Sequence, residues 1–388
     1  MAEISSADRI ARLIAFYLPQ YHPIPENDEW WGKGFTEWTN VTRAKPLFRG
    51  HYQPQLPADL GFYDLRLPET RRAQADLAQE HGIFGFCYYH YWFNGRRVLN
   101  RPFDEVLRTG EPDFPFCLCW ANENWTRRWD GRESEVLLKQ NYSYEDDVHH
   151  MRWLAQAFRD PRYIRVDGKP LFLVYKASHL PDPRRTIATW RTVAQQVGIG
   201  DIYLCKVESA WDERANPIDM GFDAAVEFQP DATRYGTKLP MGNRVWRRLD
   251  RTFVRMRSRL HHVEQLYDYQ TIVGRMLRPR NSPYPLHPCV TPSWDNTARR
   301  QTRATVIHGS TPLAYENWLS TTIERTLATP RQKPIIFINA WNEWAEGAHL
   351  EPCQKWGRGY LEATQHALER SGISLDVGPE PASQIFRS

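Results

Sequence analysis

Eight short apolar runs punctuate the chain, at residues 13–18, 83–89, 115–120, 171–175, 202–207, 224–228, 288–292 and 335–340. Each is apolar nearly throughout and does not alternate with polar residues, the pattern of parallel strands covered on both faces. The stretches between them carry helix signals. Residues 68–82 open on proline and an acid and stop at Gly82. Ser143 precedes a helix reaching Phe158. Residues 182–198 begin Asp-Pro and end on glycine. Thr311-Pro312 opens a helix to about Thr329, and 359–372 forms the last. Strand and helix alternating through eight repeats predicts an α/β fold, the (β/α)8 barrel. An open doubly wound sheet shares the alternation, but no glycine-rich phosphate loop follows any run. We read residues 1–372 as one barrel domain and 373–388 as a loose tail.

Two connections are long, 19–67 after the first strand and 229–287 after the sixth. Both leave the C-terminal ends of strands, where barrel enzymes build their sites. The residues there are the candidates for substrate contact. They are Tyr17, Gln20 and His22 at the first strand and Trp38 in its loop. Tyr89, Tyr91 and Trp92 follow at the second, and Asn122, Glu123 and Trp125 at the third. Glu227 closes the sixth and Trp294 the seventh. Asn342, Trp344 and Glu351 belong to the eighth. One mouth lined by acids, amides and aromatics suits a glycan, whose ring has an apolar face and a hydroxyl rim. Composition points the same way, with 16 Trp, 18 Tyr and 17 Phe.

The sharpest element is Trp341-Asn342-Glu343-Trp344-Ala345-Glu346-Gly347. Glycoside cleavage needs one group to protonate the leaving oxygen and one to act on the sugar side, and carboxyls serve both roles when their surroundings separate their pKa values. Glu343 and Glu346, three apart on a turn leaving the last strand, can share one cavity, so we take them as the catalytic pair. The flanking tryptophans would exclude water and raise the acid member.

Other patterns carry less. His149-His150 and His261-His262 read as exposed helix residues. The acids 145–147 suit a helix start. No spacing suggests a metal, a cofactor or a serine nucleophile. The cysteines lie mostly in strand-like runs and read as buried thiols of a reducing compartment. No secretory leader and no membrane span is evident, which implies a cytoplasmic location. Net charge is +4, but 234–280 holds 12 Lys/Arg against 3 Asp/Glu, so +9 there and −5 elsewhere. This stretch reads as a basic helical insertion able to touch an anionic glycan, a lipid-linked sugar or a membrane surface.

Several blocks resemble the WbsX-type family. They are Ala15 to Pro23, Trp30 to Asn40, Tyr52-Gln53-Pro54, Leu60 to Asp64, Trp120 to Gly131, Gly168-Lys169-Pro170, and Trp341 to Glu346 with Leu350-Glu351-Pro352. That family is labelled a glycosyltransferase of surface-polysaccharide loci. Its closing block is also similar to that of the family 99 endo-α-mannosidases, retaining enzymes on a (β/α)8 barrel. The resemblance implies that Glu343 acts as base on a sugar 2-hydroxyl and Glu346 as general acid and base. It also implies a route through a 1,2-anhydro sugar, unlike the usual retaining scheme. Three functions are therefore expected in order: hydrolase or transglycosylase on an α-linked polysaccharide, glycosyltransferase of O-antigen or capsule synthesis, and a glycan-binding barrel without catalysis. Nucleotide-sugar transferases usually use Rossmann-like folds, and nothing here resembles one.

Overall fold

The computed structural model describes residues 11–127, 132–209, 215–239, 265–278, 280–300, 303–329 and 334–372. Eight parallel strands form a closed barrel. They are β1 (Arg12–Tyr17), β2 (Gly85–Phe93), β3 (Phe116–Trp120), β4 (Lys169–Val174), β5 (Tyr203–Glu208), β6 (Ala224–Glu227), β7 (Leu286–Val290) and β8 (Ile335–Ile338). Each pairs with the next, and β1 pairs with both β2 and β8, so no barrel edge stays open. The register at closure sets Ile14 opposite Phe337 and Phe16 opposite Cys87. Every expected strand overlaps one of these.

The helices are α1 (Pro25–Trp31), α2 (Glu37–Arg43), α3 (Pro68–Glu80), α4 (Arg101–Thr109), α5 (Tyr144–Phe158), α6 (Pro183–Gln196), α7 (Tyr269–Met276), α8 (Thr297–Arg300), α9 (Pro312–Leu327) and α10 (Gly359–Arg370). The five expected helices are α3, α5, α6, α9 and α10. The caps are those read from the chain: Ser143, Asp182 and Thr311 each accept a hydrogen bond from a backbone N–H of the first turn. Helix α4 was not anticipated. Strand β2 runs on past the barrel, turns through Asn94-Gly95 and pairs antiparallel with Arg96–Val98, which delivers the chain to α4. Outside the barrel, Gln265–Asp268 and Trp294–Asp295 flank Thr305–His308 in a small sheet.

Much of the basic stretch, 240–264, and the tail 373–388 lie outside the described residues. So do His261 and His262. At its described ends the stretch is not a solvated face. Arg234 pairs with Glu227 at 3.1 Å, and Arg280 pairs with Glu208, both carboxylates at barrel strand ends. His150 also departs from expectation. It is fully buried, stacked on Trp92 and 3.0 Å from the His90 ring nitrogen. Helix α5 turns it inward because aromatic burial there outweighs its polarity. The six cysteines are free and buried.

Inside the barrel, Phe16 of β1 touches Tyr89, Phe228 and Phe337, and Tyr175 packs on Tyr89 and Phe228. These rings from five strands or their ends close the lumen and form the floor of the mouth. Two asparagines strap strand ends together. The Leu18 amide donates to Asn342 Oδ1 at 2.7 Å, and Asn342 Nδ2 donates back to the Leu18 carbonyl at 3.0 Å. Asn122 does the same to Lys176, at 2.7 and 2.8 Å. Both asparagines are fully buried.

Candidate active site

The last strand ends and the chain enters a short 3-10 turn, Trp344–Glu346, preceded at its N-cap by Glu343 and ending on Glu346, the proposed catalytic pair. The site forms around a residue not singled out from sequence, Arg299 of α8. Its guanidinium donates to Glu343 at 3.1 Å, to Glu37 of α2 at 3.0 Å, and to Glu346. Three carboxylates thus share one cation. Glu37 is wholly buried and Glu343 nearly so. Two routes of chain bring Glu37 there: its amide donates to the Gln20 carbonyl at 3.0 Å, and Thr36 caps the helix it begins. The Arg299 guanidinium is held well above its ordinary pKa: burial opposes the charge, but Glu346, Glu37 and Glu343 outweigh it.

Ionising all three carboxylates would leave two negative charges uncompensated in a site shielded from water. Glu343 is accordingly pushed up to about 8, first by burial and then by its acidic neighbours Glu346 and Glu37, with Arg299 opposing. Burial raises Glu37 as well. The cluster therefore holds a proton at neutral pH. Above the floor, the hydroxyls of Tyr89, Tyr91 and Tyr175 are held neutral by burial and by nearby carboxylates, Glu343 among them in each case. Glu123 adds to the same effect at Tyr175. So Tyr89 and Tyr91 stand near the acid cluster, and Glu123 stands near Tyr175. Trp125 lies farther out, edge-on to Tyr91 and Trp30.

Other candidates are committed elsewhere. Tyr17 leaves β1 on the helix side, where its hydroxyl donates to Gln74 at 2.6 Å. Trp92 likewise faces α5, its indole donating to Asp146 at 2.9 Å. Asn122 and Asn342 spend their amides on the straps. Glu351 is a buried acceptor for Tyr63 (2.8 Å), Gln74 (2.6 Å) and the Trp344 indole (2.6 Å), and burial raises it to about 7. Trp38 donates to the Tyr63 carbonyl and packs against Trp344. These five residues and Trp38 and Trp344 are thus bonded to protein partners. His22 is buried against the Pro19 carbonyl and kept neutral, its pKa near 4 through burial. Gln20 is buried. Glu227 is paired with Arg234, and Trp294 lines a groove beyond Gly347.

Nothing in the sequence signals that Arg299 and Glu37, 262 positions apart, belong together. Each is a charged residue in a connecting segment. Glu37 did lie within a quoted block, whose Thr36-Glu37-Trp38 order places an acid in the first turn of a capped helix.

Residues 13–364 match the family model described as glycosyltransferase WbsX. Two proteins of Xanthomonas campestris pv. campestris, from strains B100 and ATCC 33913, both described as uncharacterized protein WxcX, are 46% identical over 379 residues, 97% of this chain. The chain spans about half (51%) of the length of these relatives. Among solved structures, the GH99 endo-α-mannosidase from Bacteroides thetaiotaomicron superposes with a TM-score of 0.55 at 15% identity, covering 94% of this chain and 98% of its own. A glycoside hydrolase-like protein gives 0.60 at 14% identity, covering 96% and 97%. These likenesses agree on the barrel, and the family match extends over nearly all of it. The chain belongs to the WbsX glycosyltransferase family.

Proposed function

We propose that this carbohydrate-active barrel cleaves an α-linked polysaccharide or oligosaccharide with retention, by hydrolysis or transglycosylation, using Glu343 and Glu346. The observation that carries the reading is the cluster itself: two carboxyls three residues apart at the end of β8, gathered with Glu37 on one guanidinium, with Glu343 pushed up by burial. A carboxylate whose pKa is raised is the stronger base once ionised, which suits Glu343 for a sugar hydroxyl. Glu346, less enclosed and nearer solvent, is placed to meet the leaving oxygen once substrate displaces its bond to Arg299. The neutral hydroxyls of Tyr89 and Tyr91, with Glu123, supply donors and acceptors for the sugar.

The test is product analysis by mass spectrometry, with α-mannan-type and O-antigen oligosaccharides and, separately, sugar nucleotides plus acceptors. Shortened glycans without nucleotide, with turnover lowered ~10²- to 10⁴-fold in Glu343→Gln and in Glu346→Gln, are the expected result. Near-normal turnover in either variant sinks the assignment. A second reading, transfer from a sugar nucleotide in O-antigen or capsule synthesis, draws support from the family's description. Extended glycans that require the nucleotide would promote it.

A further inference from the structure

Beyond Gly347 the chain builds a second concavity, apart from the acid cluster. It is a groove of about 290 Å³. Its walls come from four separate segments: the loop after β1, the turn after β7, the outer strand Thr305–His308, and the loop between β8 and α10. Tyr52, Trp294, Trp356 and Tyr360 are its aromatic faces. Tyr52 is 38% exposed, one of few large apolar side chains so open to solvent. Lys355 lies over two of these rings, its Nζ 5.2 Å from the Tyr52 centroid and 4.8 Å from that of Trp356. The Trp294 indole N–H has no acceptor among the described residues.

The polar part of the groove is rigid. His51 bonds Asp295 at 2.6 Å, and His349 bonds Gln55 at 2.8 Å while stacked on Trp344. His349 is held neutral, its pKa near 4 through burial. The groove also reaches the catalytic turn. Gly347 has φ +59°, and a Cβ there would lie 2.9 Å from Gln55 and 3.0 Å from Asp295, while Ser293 donates to its carbonyl. Aromatic faces beside an exposed ammonium match the two chemistries of a sugar ring, apolar C–H face and hydroxyl rim.

We propose that this groove is a distal saccharide subsite, stacking a sugar on Tyr52 and Trp356 with Lys355 donating to it, so that the protein favours chains over short glycosides. The proposal rests on the polysaccharide reading above only for what the bound chain is used for. The experiment uses the full chain and two probes, α-mannan oligosaccharides from di- to hexasaccharide, and size-fractionated oligosaccharides from the source organism's surface polysaccharide. Binding is followed by tryptophan fluorescence and calorimetry in the Glu343→Gln/Glu346→Gln background, and turnover in the parent.

Affinity should rise with chain length. Tyr52→Ala and Lys355→Ala, both at exposed positions, should each abolish that rise, weakening the longest oligosaccharides about tenfold while leaving the shortest unchanged. Trp356→Ala, checked for folding by circular dichroism, should do the same. Equal binding of all lengths by parent and variants, or no binding of either probe, overturns the subsite. Length-dependent binding without turnover would instead overturn only the cleavage reading, and turnover with no groove effect only the subsite.

Discussion

Glu343 places a titration in the physiological range where an exposed glutamate would have none. Because it gains its proton near pH 8 when folded and near 4.5 otherwise, the folded state binds more protons between those limits. Its contribution to stability therefore falls as pH rises through that window. Glu343→Gln should raise the melting temperature relative to the parent above about pH 8 and change it little below 4.5, in paired thermal scans. If Glu343 is the base, kcat/KM rises with pH toward about 8. Glu37→Gln removes a like charge from its surroundings, so that limb should move to lower pH in a pH-rate profile. An unmoved limb would detach Glu37 from the chemistry. Arg299→Ala leaves buried carboxylates without their cation and should cost about 3–5 kcal/mol in urea unfolding, partly recovered by adding Glu37→Gln. None of this was legible in sequence, because Arg299 and Glu37 meet only through the folded barrel, whereas Glu343 and Glu346 announce themselves by sharing one turn.

At the scale of elements, the eight apolar runs and five helices were legible because covered parallel strands and amphipathic helices leave different periodicities. Which way a strand's side chains point was not. A strand buried on both faces gives no alternation, so Tyr17 and Phe16 look equally fit to face the mouth. Only Phe16 does, while Tyr17 bonds Gln74 on the helix side. The same holds for Trp92, whose indole bonds Asp146 of α5. The strap asparagines were also read as substrate contacts, since a buried amide and an exposed one have the same letter. The straps make a contrast that can be measured. Asn122→Ala and Asn342→Ala each strip a buried backbone pair of its partners and should each cost about 2 kcal/mol in urea unfolding. Asn342→Ala should also lower turnover sharply, because it frees the turn that carries Glu343. Equal activities in the two variants would remove Asn342 from the support of the site.

For the molecule as a whole, closure joins residues from the two ends of the described chain. Arg12 pairs with Ile335 and Leu18 with Asn342. Helix α10 packs on α9, and its Tyr360, Leu361, Ala367 and Leu368 are all buried. Truncation after Arg358 should abolish cooperative unfolding in calorimetry, because the apolar surface of α9 and of the strands beneath would be left open to water. Among the described residues no helix is long and apolar enough to cross a membrane.

The Leu18–Asn342 strap has a consequence in time. Its partners lie 324 residues apart, and the residue after Asn342 is Glu343. Contacts of such separation form late, after the local hairpins and helices have collapsed. Chemistry in this protein is thus the last property a refolding chain acquires: far-ultraviolet circular dichroism would recover first, and the return of activity would keep time with the slowest event, the meeting of first strand and last.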